Sequence, residues 1–387
     1  MFTFALEPGE LFEERARQMA GWGIPKPIVA EVRGQVRDMW SDDEAGWVPA
    51  WARHAEHAER EERWMLAALC WGAARFPCLA TPSRKAAYER QLAAYERASE
   101  RLPTSFERTI LDVPFEDGTT PVPVHLFRRR RRVGRSLLVL SGGVDTWKIE
   151  LHRLAVAIAR ATGLIVAAVD MPGTGESRVP LTPSADQILV GVVHELADRL
   201  GAERTSFFGI SFGGHWAAKL ALTGDVDAAI DLGGPVGAGD NTLNVANLPN
   251  GMTGIVAHAL DLDRLPTPEE TEDLVDRFSL RRQGLLDGSG SEYLLAINGD
   301  RDLYVPLADT TVFSSHERAT VWVVKGASHC AAERVRRVIP AAVAWLMARL
   351  HSDAVVYRAL EGALHVPLRP VLAGPGLKPR LRPGCPA

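Results

Sequence analysis

The stretch from 205 to 221 constrains the fold more than any other. A short apolar run at 205–208 leads into Gly209-Ile210-Ser211-Phe212-Gly213, and Trp216, Ala217, Ala218, Leu220 and Ala221 follow at helical spacing. That pattern is strand, sharp turn, helix. Glycines at 209 and 213 leave space where strand and helix nearly touch. The serine between them is then held in a strained backbone conformation with its hydroxyl pushed out of the sheet. Such a serine is an exposed nucleophile. The same five-residue pattern also occurs in Gly-rich turns without chemistry, so the rest of the chain must supply its partners.

Strands and helices alternate on both sides of this turn. Apolar runs at 136–140, 164–169, 228–232, 293–297 and 321–324 read as strands, and helical patterns fall at 148–161, 184–200, near 307–313 and at 332–350. Continuous apolar strands separated by helices predict an α/β fold, a mostly parallel, doubly wound sheet covered on both faces. The polar piece at 241–290 reads as a rim or lid. Ahead of the sheet, Leu111, Val113 and Phe115 alternate, Glu116-Asp117-Gly118 turns the chain, and Val122, Val124 and Leu126 alternate again. This is an antiparallel hairpin. Pro121 and Pro123 restrict its second strand to a sheet edge or an irregular strand.

Residues 1–105 read as a separate all-helical cap. Pro27 opens a helix with Ile28, Val32, Val36 and Met39 along one face. A long apolar stripe runs from Trp51 to Cys70, and Thr81-Pro82 suits the start of another helix. Six of the ten tryptophans lie here (Trp22, Trp40, Trp47, Trp51, Trp64, Trp71). Packing within the cap accounts for them, and so does a flat substrate pocket that the cap would wall and roof. The domains expected are thus a cap at 1–105, a catalytic domain at 106–351 that holds its own reacting groups, and a Pro- and Gly-rich extension at 352–387.

A net charge of −4 offers no reason to expect nucleic acid or an anionic membrane as a partner. The one basic run, Arg128 to Arg132, is isolated and reads as a solvated loop. Residues 1–15 carry four glutamates and no apolar core of a secretory signal, and no apolar run approaches the ~20 residues that span a bilayer. Cys70, Cys78, Cys330 and Cys385 form no C-x-x-C pair, which predicts free thiols in a reducing cytoplasm and no zinc site. The expected partner is a small-molecule substrate, with no cofactor and no metal; a homodimer is left open.

In a doubly wound sheet, chemistry sits at the carboxyl ends of the strands. Ser141-Gly142-Gly143-Val144-Asp145 follows one strand and can aim a backbone N–H at an oxyanion. Asp170-Met171-Pro172-Gly173-Thr174-Gly175 follows the next. The later loops offer acids, Asp300 and Asp302, and a base, His329. Nucleophile, acid and histidine in that chain order are those of α/β-hydrolases. Ser211 would attack a carbonyl, His329 would carry the proton, and Asp302, preferred over Asp300, would hold the imidazole. The backbone N–H groups of Phe212 and Val144 would bind the oxyanion. His215 reads as a packing residue.

With Gly142 to Lys148, Asp170 to Gly175, Gly209 to Lys219, Asp302 to Pro306 and Ser328-His329-Cys330 in view, the chain resembles the FrsA-like esterase family of the α/β-hydrolases. The resemblance covers most of 106–350 and, more loosely, the helical N-terminus. It implies a serine hydrolase with a helical cap. Its substrate would be an ester or an activated C–C bond, a β-dicarbonyl or aryl ketone, in a bulky apolar carbonyl compound. It also implies an extra carboxylate after the sixth strand in the C–C hydrolases, where Asp240 is the acid nearby. A tailoring enzyme that uses the same site for retro-Claisen cleavage, cyclisation or elimination is a second reading. A non-catalytic interaction protein on the same fold is a third.

Overall fold

The computed structural model describes residues 2–131, 134–239, 245–287, 292–351 and 355–370. Five helices open the chain: α1 (Pro8–Trp22), α2 (Lys26–Gln35), α3 (Trp47–Arg60), α4 (Trp64–Arg75) and α5 (Pro82–Ser99). The stripe expected as one stretch from Trp51 to Cys70 is broken between α3 and α4, where Glu62 takes a positive φ of 53°. Helix α2 stops at Gln35; Val36 and Met39 are buried from non-helical chain. At α5 the Thr81 hydroxyl accepts the Arg84 N–H at 3.3 Å, a side-chain cap that meets one of the unpaired donors of a helix start.

Four of the six tryptophans of this layer (Trp22, Trp47, Trp51, Trp71) lie in its interior, and Trp40 and Trp64 are half-buried. Trp47 and Trp51 are fully buried, with ring centroids 6.0 Å apart, and Phe12 and Phe76 pack on Trp47. Trp71 donates to Glu59 beneath the Arg90 guanidinium. Of the two sequence readings, packing is the one these side chains satisfy.

Eight strands form one sheet in the order β1-β2-β4-β3-β5-β6-β7-β8. The antiparallel hairpin is β1 (Ser105–Phe115) and β2 (Gly118–Arg128). Six parallel strands follow: β3 (Ser136–Ser141), β4 (Ile165–Val169), β5 (Arg204–Ile210), β6 (Ala228–Leu232), β7 (Tyr293–Gly299) and β8 (Ala319–Val324). Strand β2 is interior rather than an edge, but β4 pairs only with its residues Val124 to Phe127. Pro121 and Pro123 lie outside that overlap. Being two apart, they turn their missing N–H to the same side, so the ladder tolerates both.

Helices α6 (His152–Thr162), α7 (Asp186–Leu200), α8 (Phe212–Thr223) and α11 (Leu307–Thr311) connect the parallel strands, and α12 (Val335–Leu350) follows β8. The first starts four residues later than 148, because Trp147 N–H and Lys148 N–H bond the Glu150 and Asp170 carboxylates instead of joining a helix. The last starts three later than 332, because Cys330 and Ala331 have φ of 55° and 52°. The segment expected as a rim carries α9 (Met252–Ala259) and α10 (Pro268–Phe278), the latter closed by a Thr267–Glu270 capping box. After 351, α13 (Val355–Ala363) follows, and Leu368 bridges Val324 on the free edge of β8. Part of the basic run is anchored: Arg129 donates to the carbonyls of Arg160 and Ala161, and Arg130 to that of Leu102.

The helical layer docks on the sheet through buried charge. Arg75 meets Glu150 at 2.8 Å and stacks on the Trp147 ring at 3.5 Å, while the Gln91 amide donates to the same Glu150 at 2.7 Å. Lys148 pairs with Asp170 and, at 2.8 Å, with Glu176; Tyr88 on α5 reaches Asp170 at 3.4 Å. Arg75 and Lys148 have no exposed surface. Buried ions of this kind tolerate only one arrangement, since a displaced charge has no water to replace its partner.

Candidate active site

Strand β5 carries the chain to the surface of the sheet and α8 takes it away. Between them Ser211 has φ 56° and ψ −128°, a conformation that few non-glycine residues adopt. Its backbone is pinned on both sides: its N–H bonds the Leu232 carbonyl at 2.8 Å and its carbonyl accepts Gly214 N–H at 2.7 Å. The two glycines are required by close approach. A Cβ on Gly209 would lie 1.8 Å from the Gly213 carbonyl oxygen, and one on Gly213 would lie 2.5 Å from that of Gly142.

Ser211 Oγ is 2.9 Å from His329 Nε2, and His329 Nδ1 is 2.7 Å from Asp302 Oδ2. The sequence-predicted nucleophile, base and acid therefore meet in one hydrogen-bonded line. Asp302 is held by two further donors, Tyr304 N–H on Oδ1 and the Asn298 amide on Oδ2, both at 2.7 Å. Burial raises the pKa of Asp302, but His329 and these donors outweigh it and leave it below the usual carboxylate value. Burial likewise opposes a charged His329 ring; Cys330 and Asp302 overcome that and hold its pKa well above the ordinary imidazole value. Asp300 does not join the line. Its Oδ1 accepts Gly326 N–H at 2.7 Å and so shapes the base loop.

Phe212 is the first residue of α8, so its N–H has no intrahelical acceptor. Gly143 abuts Ser211 directly: a Cβ there would come within 2.9 Å of Ser211 Oγ and 3.4 Å of Phe212 N. The segment that carries Val144 is thereby laid beside the nucleophile. His215 is buried, with Nδ1 on the Pro235 carbonyl at 2.9 Å, and burial lowers its pKa to about 4. Asp240 lies outside the described residues.

Three residues near this line carry no sequence signal of their own. Asn298 is fully buried; its amide holds Asp302 while its oxygen accepts Gly299 N–H at 2.8 Å and Cys330 N–H at 3.0 Å, so one side chain fastens acid loop to base loop. Asp231, at the end of β6, accepts Gly234 N–H at 2.7 Å, and burial pushes its pKa up to about 8. Tyr304 meets the His329 ring edge-on with centroids 5.3 Å apart, and its hydroxyl donates to Glu14 of α1 at 2.7 Å. Among the described residues, no group of three His, Cys, Asp or Glu is disposed to hold a metal ion, and no helix is long and apolar enough to cross a membrane.

The sequence model of the family described as "Esterase FrsA-like" matches residues 33–351. Esterase FrsA of Yersinia pestis (strain Pestoides F) is 25% identical over 286 residues, which span 71% of this chain and 68% of that protein. The same figures hold for Esterase FrsA of Yersinia pseudotuberculosis serotype O:1b. Two solved structures share the fold. AbyA5 superposes with a TM-score of 0.74 at 21% identity, over 92% of this chain and 98% of its own. The 2,6-dihydroxy-pseudo-oxynicotine hydrolase gives 0.70 at 22% identity, over 93% and 99%. The fold is that of the α/β-hydrolases with an N-terminal helical layer, and a purely non-catalytic role is set aside. The chain belongs to the FrsA-like esterase family, hydrolases of the α/β-hydrolase superfamily.

Proposed function

We propose that the protein is a serine hydrolase that works through an acyl-enzyme on Ser211. Its substrate is an ester or an activated C–C bond of a bulky, apolar carbonyl compound. The observation that carries this reading is the unbroken line of Ser211, His329 and Asp302 at a strained elbow. Ser211 Oγ attacks the carbonyl carbon as its proton passes to His329 Nε2, and Asp302 stabilises the imidazolium. The oxyanion so formed is met by the Phe212 and Val144 N–H groups. Collapse expels an alkoxide from an ester, or an enolate from a β-dicarbonyl, and His329 returns its proton to that leaving group. Water, activated by the same histidine, then releases the acid and restores Ser211.

The β-dicarbonyl arm rests on the family resemblance, and the ester arm on the triad geometry together with the family description. Incubation with p-nitrophenyl butyrate and, separately, with 1-phenyl-1,3-butanedione, quenched in acid and mapped by mass spectrometry, tests it. A butyryl or acyl adduct on the Ser211 peptide, with a matching burst of leaving group, is expected. Turnover with no adduct, or an adduct that persists in Ser211→Ala, contradicts it.

A further inference from the structure

Helix α1 supplies no reacting group, yet one of its faces reaches both walls of the cleft. Positions 14, 15 and 18 lie together on a helix, at i, i+1 and i+4. Glu14 accepts the Tyr304 hydroxyl at 2.7 Å and the Asn250 amide at 2.5 Å, and Asn250 also donates to Tyr304 at 3.1 Å. The helical layer, the 245–287 segment and the acid loop thus share one junction. From it Tyr304 passes its N–H to Asp302 and its ring to His329.

On the opposite wall Arg15, largely buried, meets Asp145 at 3.0 Å, and the Gln18 amide donates to the Thr146 hydroxyl at 2.7 Å. Those two residues directly follow Val144. The turn they close is tight: a Cβ on Gly142 would sit 1.9 Å from the Thr146 carbonyl oxygen, and the neighbouring Gly143 rests on Ser211. The Arg75 guanidinium, from α4, holds the Asp145 carbonyl at 2.9 Å from behind. A load on α1 is therefore felt at Gly143 on one side of the nucleophile and at Asp302 on the other.

We propose that the Glu14, Arg15 and Gln18 face of α1 is a positioning element, which fixes the oxyanion turn and the acid loop at one spacing across Ser211. The helical layer then sets turnover and does more than cover substrate. This rests on the reading of Ser211 as the nucleophile. Donors aimed before the reaction begins need no reorganisation during it, and displacement of a wall by about 1 Å costs on the order of a hundredfold in rate.

The test uses p-nitrophenyl acetate, too small to need a pocket wall, on full-length protein. Tyr304→Phe keeps the ring on His329 and removes only the hydroxyl. Tyr304→Phe, Glu14→Leu and Arg15→Met are each expected to lower kcat by about 10- to 100-fold while KM moves little. Because Glu14 and Tyr304 act through one bond, the double variant Glu14→Leu/Tyr304→Phe falls no further than the worse single. Glu14→Gln, which keeps an acceptor for Tyr304, recovers part of the loss, and thermal melts confirm folding. Should Arg15→Met fail to fold, Tyr304→Phe and Glu14→Gln decide alone. Folded variants with wild-type kcat and raised KM would overturn the proposal, as would multiplying effects in the double. A wild-type enzyme that forms no adduct on Ser211 would instead refute the functional reading beneath it.

Discussion

At the seam between helical layer and sheet, Arg75 faces Glu150 and Lys148 faces Asp170, all withdrawn from water, with Glu176 at the margin of the second pair. Around the nucleophile helix, Asp231 and Asp309 are withdrawn as deeply but are met by backbone N–H groups: Gly234 for the first, and Val236, Gly237 and Ala238 for the second. The difference separates two uses of buried charge. Opposite charges at the seam lock two layers in one register, because sliding would strand an ion. The carboxyls near the site have no such lock. Burial first, and Asp309 nearby, push Asp231 up to about 8, so it holds its proton at neutral pH. Asp302, held below the usual carboxylate value, is the one that bonds His329.

Asp302→Asn should have the largest effect on this contrast. The amide presents the wrong partner to His329 Nδ1, and kcat is expected to fall about 10⁴-fold while the melting temperature barely moves. The pH profile carries a second signature. The base must be neutral to accept a proton, so kcat/KM in the wild type falls as pH drops through the His329 pKa. That acid limb should lie above the ordinary value of about 6.5. In Asp302→Asn the limb should shift downward, as seen by stopped-flow or steady-state rates from pH 5 to 9.

Arg75→Leu comes next. It leaves Glu150 without its counter-charge and is expected to cost about 3 to 5 kcal/mol in urea titrations. Arg75→Leu/Glu150→Met should recover most of that loss. A single variant as stable as wild type would mean that the seam is not locked by this pair.

Asp231→Asn should act oppositely, and in a pH-dependent way. The folded-state pKa is raised, so the folded protein binds the proton more tightly and wild type loses stability as pH rises from the unfolded value of about 3.9 toward about 8. An asparagine keeps the Gly234 bond and never ionises. Its advantage in melting temperature should be greatest above pH 8 and vanish near pH 4; a difference independent of pH would show that Asp231 is ionised in the fold. The smallest effect belongs to Asp300→Asn, which retains the acceptor for Gly326 N–H and should leave turnover close to wild type.

The meeting of Ser211, Asp302 and His329 was legible in the sequence because each lies just after an apolar strand, and strand order sets where those loops emerge. The choice of Asp302 over Asp300 is likewise a local matter of two residues in one loop, and only Asp302 touches His329. The seam was not legible. Arg75 and Glu150 are ordinary charged residues 75 positions apart, and nothing in either neighbourhood announces the other. Glu14 and Tyr304 are separated by 290 positions. The cap tryptophans were ambiguous for a related reason: aromatic residues on helices mark burial, but whether they bury against one another or around a ligand depends on packing. Here Phe12, Trp47, Trp51 and Phe76 fill the layer themselves, and it is Tyr304, bonded to Glu14, that stands against His329.

The proposed mechanism makes Ser211 a nucleophile activated by His329. A fluorophosphonate reagent, which traps such serines covalently, reads both halves of that claim at once when the modified peptide is mapped and the rate is followed. Rapid, single-site labelling of Ser211 is expected in the wild type, with none in Ser211→Ala and labelling slowed by orders of magnitude in His329→Ala. Labelling that persists in Ser211→Ala, or that proceeds at an undiminished rate in His329→Ala, would contradict it.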